Sequence, residues 1–379
     1  MPENHPPESE DFSLVGRADF GYYNDNERRY SLKKQEGEIT MKKALALMTA
    51  SAMALSLAAC GGSASTASST ASSASSAAES VVESAAAAAG TSVTKDNIKF
   101  GFLAPTLQTE FFINIDDGLK QVAAEDGWDY TSVSFENDSG TAVTDIENMV
   151  TSGCNVILAM VSDNSCDDAL RAAQEAGTIV IECGVVTDVY DISINSSQYD
   201  IGTMISDMAG EWIDTQLDGK ANIVVYTTYQ NQDMQNRGQG IQDRIKELCP
   251  DSNILEVVDI GKDVVGAGTT YTETMIQKYP ELNCILAYGD AAATEAVEAV
   301  KAAGMNSDDF GIFACDGTES AIKYIADNDV MRGTLMFNSV AEQTRDVLYQ
   351  YLDGKLEEGT VVANSISPIT AANVADYVK

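Results

Sequence analysis

Few side chains in this sequence that can attack, ligate or move protons fall in usable patterns. The one histidine among its 379 residues is His5, so the rest of the chain can build neither a Ser-His-Asp triad nor a histidine metal site. Beyond Cys60 six cysteines (Cys154, Cys166, Cys183, Cys249, Cys284 and Cys315) are scattered without C-x-x-C spacing; their even number permits disulfides in an exported protein and equally permits buried free thiols. No G-x-x-x-x-G-K-[ST] occurs, and Gly238-Gln239-Gly240 and Gly266-Ala267-Gly268 lack the spacing of a nucleotide fingerprint. A carboxylate pair such as Asp290 and Asp316 has the groups for glycoside hydrolysis, but nothing in the sequence sets their separation. Catalysis, a cofactor and a bound metal are therefore not expected. Recognition is. A guanidinium's rigid fork of donors, carboxylate acceptors and flat aromatic rings together suit a neutral polyol with a CH face and a hydroxyl edge.

The segment 41–60, "MKKALALMTASAMALSLAAC", has two lysines, an apolar run and small residues before a cysteine, the three regions of a secretory signal. Its apolar core is too short to remain as a membrane-spanning helix. Leu57-Ala58-Ala59-Cys60 resembles the lipobox of bacterial lipoproteins, which implies a diacylglycerol on the Cys60 thiol and cleavage before it. Residues 1–40 are polar, with prolines, mixed charge and no sustained periodicity. A signal needs its basic region near the chain start, so translation is expected to begin at Met41, a cytosolic extension being the alternative, and residues 1–59, His5 included, are expected to be absent from the mature protein. Residues 60–96 are almost all Ser, Ala, Thr and Gly, a composition that buries too little apolar surface to order itself and is expected to act as a tether.

The folded part is expected over 97–379. Beyond Cys60 the chain carries 16 basic and 49 acidic residues, a net charge of −33, which repels nucleic acid and anionic lipid. Apolar runs "IKFGFLA", "YTSVSF", "NVILAM" and "TIVIEC" read as buried strands, and the stretches between them as helices closed by glycine. The alternation restarts with "ANIVVYT", "ILEVVDI", "NCILAYG" and "DFGIFAC", with helices from Gln235, Ala267, Ala291 and Glu319. Two parallel α/β halves in series predict two doubly wound, Rossmann-like lobes with a cleft between them. Ligands in such sheets sit beyond the carboxyl ends of the strands, which here read "LAPTLQTEFF", "AMVSDNSC", "ECGVV", "YTTYQNQDMQNRG", "AYGDAAA" and "ACDGTES".

The ordered set of Phe111-Phe112, "ENMVTSGCNVILAMVSDNSC", "NRGQGI", "YPELNCILAYGD", "CDGTESAIKYI" and "GTLMFNSVAEQ" resembles the type I periplasmic binding proteins of the ribose and galactose branch, over essentially all of 97–379. The resemblance implies a soluble receptor for an ABC sugar importer. It implies sugar-stacking roles for Phe111 and Phe112, hydroxyl-binding roles for Arg237 and Asp316, and a polar pair at Asn231 and Asp233. It also marks departures from the ribose-type pattern: Gly184-Val185 in place of Asp-Arg, Gly289 before Asp290 in place of Asn, and Phe337 in place of Gln. The expected hinge crosses near 195–199, 336–338 and 365–368, placing 97–197 and 338–366 in one lobe and 198–337 and 367–379 in the other. Expected partners are a small neutral sugar or polyol, an ABC permease with its ATPase, and the membrane through the lipid on Cys60 at its extracytoplasmic face, with the receptor a monomer. Repressors of similar fold carry a basic helix-turn-helix where this chain has the signal and tether; presentation of the ligand to a receptor kinase or chemoreceptor is the other reading.

Cys60→Ser should leave unlipidated precursor, and inhibition of the lipoprotein signal peptidase should accumulate lipidated, uncleaved precursor, both visible as mobility shifts on gels. Intact protein beginning at Met1 and soluble in the cytoplasm would contradict this processing.

Overall fold

The computed structural model describes residues 92–161, 163–184, 187–261 and 265–378; the leader, Cys60 and the tether up to residue 91 lie outside them. The chain opens with β1 (Lys99–Ala104), α1 (Glu110–Asp126), β2 (Asp129–Ser134), α2 (Ser139–Thr151), β3 (Val156–Ala159), α3 (Asp167–Glu175), β4 (Ile179–Cys183) and β5 (Ile192–Ile194). It continues as α4 (Gln198–Gln216), β6 (Asn222–Thr227), α5 (Gln232–Leu248), β7 (Asn253–Asp259), α6 (Ala267–Lys278), β8 (Cys284–Ala287), α7 (Asp290–Ala302), β9 (Gly311–Asp316), α8 (Glu319–Ala326) and β10 (Met331–Phe337). It ends with α9 (Val340–Leu352), β11 (Thr360–Val362) and β12 (Ile366–Thr370).

These strands form two six-stranded sheets of the same order, β2-β1-β3-β4-β5-β11 and β7-β6-β8-β9-β10-β12, parallel throughout except for the β10–β12 pair. Both faces of each sheet are covered, which is why the strands read as unbroken apolar runs. Phe100, Phe102 and Ala104 of β1 pack into the cluster that holds Leu119 of α1 and Val347 of α9, while Leu103 turns to Ile146 of α2 and Leu170 of α3. The second sheet repeats this, with Val224 and Tyr226 of β6 facing one cluster and Ile223 and Val225 the other. The α/β architecture of two doubly wound sheets is thus the one its sequence predicts.

The sequence reading passes over β5 and α4. A three-residue strand has too few positions to show a period, and α4 buries Gln198, Gly202, Ser206 and Gly210 beside its Ile and Met residues, which blurs an apolar stripe. It also starts α5 three residues late: Asn231 occupies the N-cap and accepts from the Met234 N–H at 2.9 Å. All six described cysteines are buried and unpaired, which decides between the disulfides and the free thiols.

The chain passes between the sheets three times, and the crossings are tied to one another. Asn364 N–H donates to Ser196 Oγ at 3.0 Å, Asn338 N–H donates to Ser365 O at 2.8 Å, and the Asn338 amide donates to Ser365 Oγ.

Helices α4 and α5 cross with backbones almost touching. A Cβ on Gly202 would lie 2.1 Å from Arg237 O, and one on Gly240 would lie 2.1 Å from Tyr199 O. Both obstacles are backbone, so no side chain can rotate away. Gly240→Ala should therefore cost about 2 kcal/mol or more and lower the melting temperature by several degrees, whereas Gln239→Ala at the exposed neighbour should shift it little. Equal melting curves for the two variants would show that the crossing tolerates the methyl group.

Candidate functional site

The carboxyl ends of the parallel strands of both sheets meet at one cleft of about 140 Å³ that is open to solvent. Its first-sheet side carries Pro105, Phe111 and Phe112 after β1, Met160 after β3, and Cys183 and Gly184 at the end of β4. Its second-sheet side carries Asn231, Met234 and Arg237 on α5, Tyr288 after β8 and Asp316 at the end of β9. Gln198, Phe337 and Asn364 contribute from the crossings.

The aromatic wall is a chain of three rings. Phe111 meets Phe112 edge-on with centroids 5.2 Å apart, and meets Phe337 tilted at 5.8 Å. All three are half-buried against the core of the first sheet, so their inner edges are fixed by packing and what remains faces the cleft.

Opposite stands Arg237, only 7% exposed. Its Nε donates to Gln198 Oε1 at 2.9 Å, Nη2 donates to the same oxygen, and Nη1 donates to Tyr288 O at 2.6 Å and Cys315 Sγ at 3.0 Å. Among the described residues this leaves one Nη2 N–H for a ligand. Arg237 thus ties α4, β8 and β9 together as well as lining the cleft, and its loss would disturb the apo fold.

Asp316 takes φ = 126°, a strained conformation for a residue with a Cβ. Its Oδ2 accepts from Asp290 N–H, the first amide of α7, at 3.1 Å, where the helix dipole favours a carboxylate. Asp290 itself turns inward and is fully buried: Oδ2 accepts from Thr318 N at 2.9 Å and Thr318 Oγ1 at 3.1 Å, and Oδ1 accepts from Thr334 Oγ1 at 2.7 Å. Burial first, and then the neighbouring Asp316 charge, push the Asp290 carboxyl well above the usual carboxylate range against these bonds. Asp290 pins the turn that strains Asp316, so it supports the cleft from behind.

Of the residues singled out in the sequence, Phe111, Phe112, Asn231, Arg237, Asp316 and Phe337 converge on this cleft. Asp290 stands behind its wall. Asp233 does not line it; half-buried in the first turn of α5, it lies near enough to Glu182 for its charge to act there. Cys60 falls outside the described residues. Sequence reasoning missed Gln198 and Asn364, which lie in crossing segments, and it never singled out Tyr288, although the quoted strand end "AYGDAAA" contains it. No group of three or more His, Cys, Asp or Glu among the described residues is placed to hold a metal ion, and no described helix is long and apolar enough to cross a membrane.

Two α/β sheets of matching order, with polar and aromatic strand ends facing one cleft, agree with the match of residues 100–356 to the family model described as the periplasmic binding protein domain. The chain belongs to the periplasmic binding protein family. Members similar to it include the ribose import binding protein of Bacillus subtilis, 23% identical over 73% of this chain and 89% of that protein. Another is the fructose import binding protein of Bifidobacterium longum, 25% identical over 86% of this chain and 93% of that one. Among solved structures, a myo-inositol binding protein from Caulobacter shares the fold with a TM-score of 0.64 at 20% identity, covering 76% of this chain and 97% of that one. An ABC transporter solute binding protein from Actinobacillus succinogenes with bound D-allose gives a TM-score of 0.65 at 19% identity, over 74% and 100%. These relatives bind substrates and are not enzymes, and the binding protein described here is likewise not an enzyme.

One titratable group of this binding protein stands apart from the cleft wall. Glu182 of β4 is fully buried, pairs in register with Ala159 and Ser193, accepts from Ser193 Oγ through Oε2, and leaves Oε1 without a partner among the described residues. Burial, reinforced by the Asp233 charge and opposed by Ser193, pushes its carboxyl up to about 8 from an ordinary 4.5. Between those values the folded protein holds a proton that the unfolded chain has released, so stability falls as pH rises through this window. The melting temperature of the wild type should therefore drop relative to Glu182→Gln as pH goes from 5 to 8.5, and parallel curves would show that Glu182 titrates normally.

Proposed function

We propose that this protein is a lipid-anchored extracytoplasmic receptor that binds a neutral sugar or related polyol between its two sheets and delivers it to an ABC importer. The observation that carries the reading is the pairing, across one cleft, of three aromatic rings with a buried arginine and a strained aspartate. The rings suit the apolar CH face of a pyranose, furanose or inositol, and the free Nη2 N–H of Arg237, the Asp316 carboxylate and the Asn231 amide suit its hydroxyls. An anionic ligand would have to sit beside the Asp316 carboxylate, an arrangement that disfavours negative charge.

Because the walls belong to different sheets, joined by three tied crossings and by contacts such as Ser320 N–H donating to Glu110 across the cleft, a ligand touching both favours the closed arrangement by its differential affinity, and the closed form is the one that docks on the permease. The relatives that import ribose and fructose support the importer setting. The lobes of this reading are 97–197 with 338–366, and 198–337 with 367–379; a lipid on Cys60 and the tether that follows it would keep a monomeric receptor at the membrane's outer face.

Thermal-shift and calorimetric screening over pentoses, hexoses, inositols, nucleosides and amino acids tests the reading. A micromolar ligand at millimolar concentration should add about 4 kcal/mol of stability. Phe112→Ala should weaken that ligand about tenfold or more. Shifts given only by amino acids or nucleosides would overturn the sugar assignment.

A further inference from the structure

Arg237 meets one side chain twice. Its Nε and Nη2 both donate to Oε1 of Gln198, which fills that oxygen's two lone pairs, and the same amide's Nε2 donates to Gly184 O at 3.1 Å. Gln198 is buried and lines the cleft beside the arginine. Its place is set locally. The Ser197 side chain caps α4 by accepting from Asp200 N, which makes Gln198 the first residue of the helix, at the point where the chain passes from the first sheet to the second.

The polarity of these three bonds admits only a carboxamide. A guanidinium has donors and no acceptor, and a backbone carbonyl only accepts, so the oxygen must face Arg237 and the nitrogen must face Gly184. A carboxylate could take the arginine but would set its second oxygen against the Gly184 carbonyl, and an apolar chain could take neither. Gly184 follows β4 of the first sheet, whereas Arg237 stands on α5 beside the second. One amide therefore spans the two walls.

The two ends of the guanidinium are held differently. Nη1 is fixed by Tyr288 O and Cys315 Sγ, both from the second sheet's side. Nη2 carries the one N–H left for a ligand, and among the described residues its other N–H is held by Gln198 alone. Without that acceptor the plane of the guanidinium can turn about the end that Nη1 holds, and the remaining N–H loses its direction.

We infer that Gln198 is a positioning residue for ligand binding: its carboxamide aims the remaining Nη2 N–H of Arg237 into the cleft and fixes that setting against the end of β4 in the opposite sheet. The inference rests on the sugar reading above and deepens it by naming the residue through which the arginine selects a hydroxyl.

The pentose, hexose or inositol giving the largest thermal shift, titrated calorimetrically beside each of its monodeoxy analogues, supplies the test. In the wild type, loss of the hydroxyl that meets Arg237 should weaken binding about tenfold or more. Gln198→Leu should weaken the parent compound by a similar factor and make binding insensitive to that one hydroxyl, with sensitivity to the others unchanged. Gln198→Glu, which keeps an acceptor for Nε and Nη2 and gives up only the donor to Gly184, should recover part of both the affinity and that sensitivity. If Gln198→Leu does not fold, Gln198→Asn, whose shorter chain draws the acceptor away from the arginine, should show the same selective loss at several-fold. A parent affinity left intact, or a loss spread evenly over all the analogues, would overturn the inference and leave the sugar reading standing. Binding of amino acids or nucleosides alone would overturn the sugar reading, and an analogue series of the compound that binds, if blind to Gln198→Leu, would then overturn this inference as well.

Discussion

A guanidinium taken out of water must find acceptors, and the way Arg237 finds them sets much of the second half of this molecule. Gln198 from the first crossing, the Tyr288 carbonyl from the end of β8 and the Cys315 sulfur from β9 all converge on it. They converge because α4 and α5 approach closely enough for Gly202 to lie against Arg237 O and Gly240 against Tyr199 O. A larger residue at either glycine would separate the helices and withdraw Gln198 from the arginine. The charge is thus buried at tolerable cost only in this packing, and the packing presents the remaining N–H to the cleft.

The aspartate opposite is positioned by a different device. Strand β9 ends in a backbone conformation that Asp316 adopts at φ = 126°, followed by Gly317, whose Cβ would sit 2.5 Å from the Met336 backbone. Asp290 holds this turn from below through Thr318 and Thr334, and the first amide of α7 holds the Asp316 carboxylate. Strain held by buried hydrogen bonds in this manner is found where a side chain must be aimed, and here it is aimed at the space the aromatic rings face.

The aromatic wall of the cleft also joins the two sheets. Phe337 ends β10 of the second sheet yet packs into the core of the first, beside Phe111. The crossing that follows is bonded to the returning chain at Ser365, and the returning chain is bonded to Ser196. A ligand that presses on Phe111 therefore presses on the crossing itself, so occupancy of the cleft and the relative setting of the two sheets are mechanically related.

How much of this is legible in the residues follows from the range over which each interaction acts. The buried parallel strands, the helices ended by Gly127, Gly153 and Gly177, and the restart of the pattern near residue 221 rest on local periodicity, and the α/β class follows from them. Strand ends in such sheets gather on one edge by topology alone, and within those loops the family resemblance singled out Phe111, Phe112, Arg237 and Asp316, which the structure places on the cleft. Asp290 was named with them and borders the space beside Asp316 with its carboxyl buried, and Asp233 lines neither that space nor the cleft: one residue turns a side chain from the cleft into the wall, and sequence carries no sign of that rotation. Gln198 and Asn364 matter only because crossings distant in sequence come together. Composition and spacing determined which chemistry was available, hydrogen-bond donors, acceptors and aromatic rings with no histidine beyond His5, because side-chain type alone decides donors and acceptors. Tertiary structure decided which of those groups face the ligand and which are consumed holding one another, because hydrogen-bond partnership depends on distances that no local pattern encodes.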